Sequence, residues 1–111
     1  METIQIQNNK INPNGYNLVR FNDKWVLEHR LIMEFYICRP LKPEEKVHHD
    51  DFNKLNNNIL NLTLFPTTKR HSHFHRQIKQ FGITQPRRTE LRILKEAMEL
   101  ERQKNLTEVI Q

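Results

Sequence analysis

The sequence predicts a single α+β domain, in which a β-hairpin and a helix precede a strand–strand–helix unit and a final helix. Apolar residues alternate with polar ones in some segments and recur at helical spacing in others. Five of the six histidines lie between residues 48 and 75, inside the predicted strand–strand–helix unit. A chain of 111 residues is long enough for one compact domain with a modest core.

The N-terminal part is predicted to be a polar arm followed by a hairpin and a helix. Residues 1–15 are rich in asparagine and predict a loose arm, with a short strand at Thr3–Gln7. Residues 16–26 alternate in part around an Asn-Asp pair, which predicts a β-hairpin. Residues 27–38 carry apolar side chains at helical spacing without Gly or Pro, so they predict a helix that ends before Pro40.

The rest of the chain alternates between short strands and helices. Strands are predicted at Lys46–His49 and Ile59–Phe65, joined by a polar loop, and a helix at Thr68–Gln80 that ends at Gly82. A last helix is predicted from residue 88 or 89 to about residue 105. Its apolar stripe is expected to pack onto the core, with dimerisation as the open alternative; the stripe includes Leu91, Leu94 and Met98.

Composition and charge limit the classes of function. Eighteen basic residues against 13 acidic ones give a net charge of +5, which favours a polyanionic partner such as nucleic acid. The one cysteine, Cys38, excludes an internal disulfide and a Cys-x-x-Cys zinc site, and is expected to be a half-buried core residue. No apolar run approaches the ~20 residues of a membrane span and no secretory signal is visible, so a cytoplasmic protein is expected.

The histidines predict a metal site. His71 and His75 are four residues apart on the predicted helix and share one face, whereas His73 points away from it. Two imidazoles at this spacing bind one divalent metal, and a third ligand from His48 or His49 completes the set if the strand packs beside the helix. Three imidazoles favour Zn²⁺, Ni²⁺, Mn²⁺ or Co²⁺ over Mg²⁺, although Mg²⁺ is not excluded for turnover.

Three stretches together resemble one nuclease family. The segments HRLIMEFYICRPL, VHHDDFNKLNNNILNLTLF and KRHSHFH are similar to the HNH, or ββα-metal (His-Me finger), endonucleases, in particular to small HNH proteins of phages and mobile introns. The resemblance covers about residues 16–76. It implies an HNH domain at 16–82 with a ββα-metal core at 46–80, flanked by the hairpin and helices, and a C-terminal helical extension at 83–111. It also implies a phage- or mobile-element-encoded protein that acts in a bacterial cell.

The same resemblance implies a role for each matching residue. His48, His71 and His75 would hold one divalent metal ion, and His49 would be the general base that deprotonates the attacking water. Asn61, the central asparagine of the motif, would fix the loop and orient His49 through a backbone hydrogen bond. Arg30 would lie near the site and bind the scissile phosphate; an exposed arginine on a core helix is the equal alternative.

The sequence departs from the family pattern in the loop after the histidine pair. Residues 50–53 contain no Gly, so Phe52 must take the turn position without the conformational freedom of glycine. Asp50 stands where an apolar residue is usual, and Arg70 where an acidic one is common. Five cations are candidates for a phosphate-binding face, with plain solvation as the alternative; they are Lys69, Arg70, Arg76, Arg87 and Arg88.

The expected function is metal-dependent hydrolysis of double-stranded DNA, as a nick or a double-strand break. Because one ββα centre cuts one strand, a double-strand cut requires two subunits or two binding events, so a homodimer stays open. The alternative is a nucleic-acid-binding module that keeps the ββα fold without the chemistry. A domain in which the metal has only a structural role ranks last, because so small a domain usually employs cysteines for that purpose.

Overall fold

The computed structural model describes residues 8–110, with side chains described as far as Thr107, and has a mixed α+β architecture. Its first sheet is antiparallel, in the order β1 (Asn9–Ile11), β2 (Asn17–Phe21) and β3 (Lys24–Leu27). The hairpin predicted for residues 16–26 is confirmed as β2–β3. Its two turn residues, Asn22 and Asp23, have φ angles of 50° and 62°, the left-handed conformation that a two-residue turn requires and that Asn and Asp tolerate.

Strand β1 was not predicted, because the arm is polar and its residues do not alternate. All three residues of β1 are exposed, and the strand is held by pairing of Asn9 with Val19 and by the turn that follows it. In that turn, the Asn12 Oδ1 atom accepts from the backbone N–H groups of Asn14 and Tyr16, at 3.0 and 2.9 Å. The strand predicted at residues 3–7 lies outside the described residues.

Helix α1 (Glu28–Ile37) confirms the helix predicted for residues 27–38. It ends because Cys38 adopts a left-handed conformation with φ of 62°, from which its N–H bonds the Glu34 carbonyl. Cys38 is half-buried, as expected. The inner face of α1 buries the apolar side chains of Leu31, Met33 and Ile37.

The second sheet has two antiparallel strands, β4 (Lys46–His49) and β5 (Leu62–Phe65). The first strand agrees with the prediction, but the second was predicted to start at residue 59 and that start is wrong. Ile59–Asn61 form a turn of 3₁₀ helix, capped by the Asn58 side chain, which accepts from the Leu60 N–H at 2.9 Å. The asparagine cap favours a helical turn over the predicted strand there. Leu60 does not reach the core and is 82% exposed, so burial of its side chain does not favour a strand.

Two helices complete the chain. Helix α2 (Thr68–Phe81) matches its prediction: the Thr67 hydroxyl caps it by accepting from the Arg70 N–H at 3.1 Å, and Gly82, with φ of 74°, follows its end. Helix α3 (Gln85–Ile110) begins earlier and ends later than predicted. Its proline lies in the first turn, where a missing N–H leaves no hydrogen bond unmade. None of the described helices is long and apolar enough to cross a membrane.

The core has two clusters that join the elements around β4 and β5. One unites α1, the second sheet and α3, and its buried members are Met33, Ile37, Val47, Leu62, Leu64 and Met98. The other joins β5, α2 and α3, and its buried members are Phe65, Phe74 and Leu94. The apolar stripe of α3 therefore packs onto the core, which was the default expectation.

Helix α3 also covers the free edge of β5. The backbone N–H of Leu64 lies 3.2 Å from the Sδ atom of Met98. The Lys95 ammonium donates to the carbonyl of Leu60 at 2.7 Å and reaches that of Leu62 at 3.4 Å. Lys95 thus connects α3 to the chain entering β5, and it also forms a 2.8 Å ion pair with Asp50.

Candidate active site

Strand β4 places two neighbouring histidines on opposite sides of the second sheet. Consecutive strand residues point in opposite directions, and both faces of β4 are covered, so His48 and His49 are both buried. His48 faces α2, where its ring lies 5.4 Å from that of His71 and 5.0 Å from that of His75. His49 faces the start of α1, with its ring centre 5.0 Å from that of His29.

Three of the predicted metal ligands come together in space. One ring nitrogen each from His48, His71 and His75 lies within 4.8 Å of the others. The His71 Nε2 atom is 3.3 Å from His48 Nδ1 and 2.9 Å from His75 Nε2. The i, i+4 spacing on α2 and the packing of β4 against that helix account for the arrangement. His73 lies outside it and is exposed, as predicted.

The spacing of the nitrogens fits a shared cation. With metal–nitrogen bonds of about 2.0–2.1 Å, tetrahedral coordination sets its ligand atoms roughly 3.3 Å apart. The two separations from His71 Nε2, 3.3 and 2.9 Å, are close to that value, and the ligand atoms of all three rings lie within 4.8 Å of one another. Three protein ligands leave coordination positions open, as catalytic sites do and closed structural sites do not.

Desolvation favours, in each of the three rings, the neutral form that a metal requires. Desolvation lowers the pKa of His48 to about 3 and that of His71 to about 4, with smaller contributions from neighbouring positive charge, His75 foremost. Desolvation also lowers the pKa of His75. A neutral imidazole presents a lone pair to a cation without first losing a proton, so the site is prepared for binding at neutral pH.

His49 is held by a chain of two side chains. Its Nε2 atom lies 2.7 Å from Asn57 Oδ1, and Asn57 Nδ2 donates to Glu28 Oε1 at 2.6 Å. A carboxylate only accepts, so the amide nitrogen of Asn57 must face Glu28 and its oxygen must face His49. That oxygen also only accepts, which places the proton of neutral His49 on Nε2 and leaves Nδ1 as the basic atom.

Aromatic rings pack around His49. His29 is buried and stacks on Tyr16 with ring centres 5.0 Å apart and an interplanar angle of 23°. Burial, then the positive charges of His49 and Arg30, lowers the pKa of His29 to about 4. His29 is therefore a neutral packing surface for His49 at physiological pH.

The central asparagine of the motif fixes the loop between the strands. Asn61 Oδ1 accepts from the Asp51 N–H at 3.0 Å, and its Nδ2 donates to Asp51 Oδ1 and to the Asn56 carbonyl, each at 2.9 Å. The His49 carbonyl instead accepts from the Phe52 N–H at 2.9 Å. Among the described residues, the side-chain bonds of Asn61 reach this loop and not the backbone of His49, whose orientation comes from Asn57.

The two unusual loop residues have distinct surroundings. Phe52 has φ of 61°, so it occupies the turn position in the left-handed conformation that glycine usually supplies. Asp50 points away from the histidine cluster: it accepts from the Thr63 hydroxyl at 2.8 Å and pairs with Lys95. The carboxylate of Asp50 is thus engaged in holding β5 and α3 and is not part of the candidate metal site.

The guanidinium of Arg30 is engaged with the backbone. It donates to the carbonyls of Glu45 at 2.6 Å and Lys42 at 3.0 Å, which ties α1 to the segment leading into β4. Arg39 joins the same region by a bidentate pair with Glu45 and a contact with Glu101. These bonds give Arg30 a role in positioning β4, and phosphate binding by Arg30 stays a prediction.

A small cleft of about 70 Å³ opens between the two histidine groups. It brings the metal-site rings and the candidate base into one space, and its lining includes Tyr16, His48, His49, Phe52, Lys54, His71 and His75. A larger, shallower depression of about 490 Å³ runs along α3, between Arg88 and Glu99, and no histidine lines it. The chemistry-bearing side chains point to the smaller space as the candidate site.

The predicted phosphate-binding cations are only partly available. Arg70 and Arg87 both pair with Glu90, at 3.3 and 2.8 Å, so one carboxylate joins α2 to α3, engages two of the five cations and offsets one of their charges. The remaining three are exposed and form no salt bridge with a described carboxylate; they are Lys69, Arg76 and Arg88.

Sequence reasoning missed Asn57 and Glu28. The segment 53–58 contains four asparagines, and composition alone does not show which of them turns inward. The available signal was chemical: a buried histidine requires an acceptor for its ring N–H, and a backbone carbonyl, a carboxylate or a side-chain amide can supply it. Glu28 begins α1 directly before His29, and a glutamate in the first turn of a helix is common without any contact to a site, so its bond to Asn57 has no local signal.

We expect the cluster to bind one transition-metal ion per chain, tightly for Zn²⁺, Ni²⁺ or Co²⁺ and weakly for Mg²⁺. Titration calorimetry of chelator-treated protein with each ion measures this. His71→Ala removes a ligand and is expected to weaken Zn²⁺ binding by at least about 100-fold. His73→Ala is the matched control, since it removes an exposed histidine from the same helix. Binding of Mg²⁺ alone would contradict a three-histidine site.

Comparisons with protein-family models, with curated proteins and with solved structures gave no match to this chain.

Proposed function

We propose that this protein is an HNH-type endonuclease of the ββα-metal class, which hydrolyses DNA phosphodiester bonds with one divalent metal ion and a histidine general base. The observation that supports this most strongly is that two adjacent histidines of β4 belong to two different side-chain groups. His48 belongs to a three-nitrogen cluster on one side of the strand, while His49 is oriented by Asn57 on the other. Both groups line one cleft.

In the proposed reaction, the Nδ1 atom of His49 removes a proton from the attacking water. The Asn57 oxygen accepts from Nε2–H and stabilises the imidazolium that forms, because its dipole points at the developing positive charge. Glu28 holds the amide in that orientation through a 2.6 Å hydrogen bond. An uncharged amide positions His49 without competing for the proton.

The residues of the three-histidine cluster would hold the ion that stabilises negative charge in the transition state. When bound to His48, His71 and His75, the metal ion would neutralise the negative charge that develops on the phosphate oxygens. Around them, Phe65 and Phe74 pack against the ring of His48 with centres 5.6 and 5.0 Å away. This apolar wall excludes water from behind the cluster, which strengthens electrostatic interactions in the cleft.

Charge supports DNA as the substrate. The net charge of +5 attracts a polyanion, and the exposed cations Lys69 and Arg76 lie on the helix that carries His71 and His75. At about 100° per residue both cations lie near His73, on the side of α2 turned away from His71 and His75, so they would contact phosphates that flank the cleft. Glu90 opposes this attraction, because its one negative charge pairs with two arginines nearby.

We expect Glu90→Gln to increase affinity for a short DNA duplex several-fold and to steepen its salt dependence by one to two phosphate contacts, since Arg70 and Arg87 are released. Fluorescence anisotropy at several salt concentrations measures both quantities. Glu96→Gln makes the same change in net charge at an exposed position of α3. Equal gains in the two variants would show that net charge, and not release of the arginines, is responsible.

Supercoiled plasmid tests the proposed activity. Purified protein is incubated with plasmid and Zn²⁺, Ni²⁺, Co²⁺, Mn²⁺ or Mg²⁺, with EDTA as the control. Conversion to open circles without linear product identifies a nickase, and linear product at high protein concentration indicates paired action. DNA binding without cleavage under every metal would instead support the inactive binding module.

A further inference from the structure

Phe52 combines three properties that the proposed chemistry does not use. Its backbone has φ of 61°, a conformation that is costly for a large side chain. Its side chain is 50% exposed, so burial does not compensate for that cost. Its ring nevertheless lies in the cleft, against two of the candidate metal ligands.

The contacts of Phe52 fix the direction of its ring. Ring centres lie 5.2 Å from His48 and 5.7 Å from His75, both in T-shaped geometry, with interplanar angles of 87° and 73°. The Phe52 N–H bonds the His49 carbonyl, so the ring is held next to both halves of the site. An aromatic side chain is thereby presented to solvent at the rim of the cleft.

A cation stands on the same rim. Lys54 also lines the cleft, is exposed, and extends over the Tyr16 ring at 4.8 Å, with its ammonium donating to the Asn14 carbonyl at 2.9 Å. An exposed aromatic ring beside a cation suits a nucleotide, because the ring stacks on a base while the cation binds a phosphate. The occupant that fits both is a nucleotide of the DNA bound in the cleft.

We propose that Phe52 is a wedge that stacks on a nucleobase beside the scissile phosphate, while Lys54 binds an adjacent phosphate. This inference depends on the proposed DNA substrate but not on catalysis. A wedge must unstack one base step, so binding is expected to be tighter where that step is already weakened. The protein should therefore prefer a duplex with a central mismatch over the fully paired one.

The test measures binding of fluorescein-labelled paired and mismatched duplexes by anisotropy, with full-length protein in EDTA. Phe52→Ala is expected to lower affinity roughly tenfold and to abolish the preference for the mismatch. Leu55→Ala is the matched control, because Leu55 is 54% exposed in the same loop and does not line the cleft. It should keep the affinity and the preference of the parent.

Two further variants separate stacking from folding. Phe52→Tyr retains the aromatic ring and should bind like the parent, whereas Phe52→Gly relieves the backbone and should melt no lower than Phe52→Ala while binding as weakly. Lys54→Gln should reduce the salt slope by about one phosphate contact without removing the mismatch preference.

Several outcomes would overturn the inference. The first is that Phe52→Ala binds DNA with the affinity of the parent, and the second is that Leu55→Ala loses as much DNA affinity as Phe52→Ala. The third is that the parent binds neither duplex measurably. Weaker Zn²⁺ binding by Phe52→Ala with unchanged DNA affinity would show that the ring only shields the metal site. If DNA binding depends on Phe52 but no plasmid is cleaved, the proposed nuclease activity is refuted and the stacking role of Phe52 is retained. If plasmid is cleaved but DNA binding does not depend on Phe52, the stacking role is refuted and the nuclease activity is retained.

Discussion

His49→Ala is expected to lower the rate of metal-dependent DNA cleavage by about 10²–10⁴-fold, the usual contribution of a positioned general base. Affinity for DNA and for Zn²⁺ should persist, because His49 faces away from the three-nitrogen cluster. Single-turnover cleavage of plasmid measures the rate, and calorimetry and anisotropy measure the two affinities.

The controls for this variant concern folding and orientation. His49 is buried, so His49→Gln, which keeps side-chain volume, accompanies the alanine variant, and both melting temperatures are measured. In the parent, ¹⁵N resonances of the ring should show the proton on Nε2, as the Asn57 oxygen requires. A proton on Nδ1, or cleavage by His49→Ala at the parental rate, would contradict the assignment of the base.

Metal-free protein is expected to lose most of its stability as pH falls from about 6.5 to 4. Burial lowers the pKa of His29 and His71 to about 4 and that of His48 to about 3, whereas the unfolded chain protonates near the ordinary value of 6.5. In this range the unfolded state binds protons that the native state does not, so stability decreases with acidification. For His29 alone the full difference corresponds to roughly 3 kcal/mol, against about 5–15 kcal/mol for a whole domain.

Urea unfolding at a series of pH values in EDTA measures this dependence. His29→Phe keeps an aromatic ring beside Tyr16 and should flatten the dependence by about one proton, or roughly 1.4 kcal/mol per pH unit. His73→Ala, on the exposed face of α2, should retain the parental slope. Stability that stays level between pH 6.5 and 4 would show that the buried histidines ionise without unfolding the protein.

The sequence was sufficient for elements in which local signals agree with tertiary packing. The β2–β3 hairpin had its turn residues, and α2 had a threonine cap and a terminal glycine. The grouping of His48 with His71 and His75 followed from helical spacing and strand order, with the family resemblance choosing His48 over His49. In each case a short-range pattern already contained the geometry.

What the sequence could not supply depends on partners far along the chain. Strand β1 is an exposed segment with two polar residues out of three, and it exists because β2 offers an edge for it to pair with. In the sequence, Asn57 is indistinguishable from the other asparagines of its loop. Its role depends on Glu28, 29 residues earlier, which fixes the orientation of its amide. Likewise, the ion pair of Glu90 with Arg70 depends on how α2 and α3 lie together, which charge patterning along one helix does not reveal.

Helix α3 has a consequence for the behaviour of the protein in solution. A two-stranded sheet leaves backbone groups on its outer edge that can recruit strands from other molecules and start aggregation. Here the N–H of Leu64 donates to the sulfur of Met98, and the Lys95 ammonium donates to the carbonyl of Leu60, just before β5. Helix α3 therefore shields an edge strand that could otherwise pair with other molecules. Truncation of the chain before residue 95 is expected to lower solubility as well as stability.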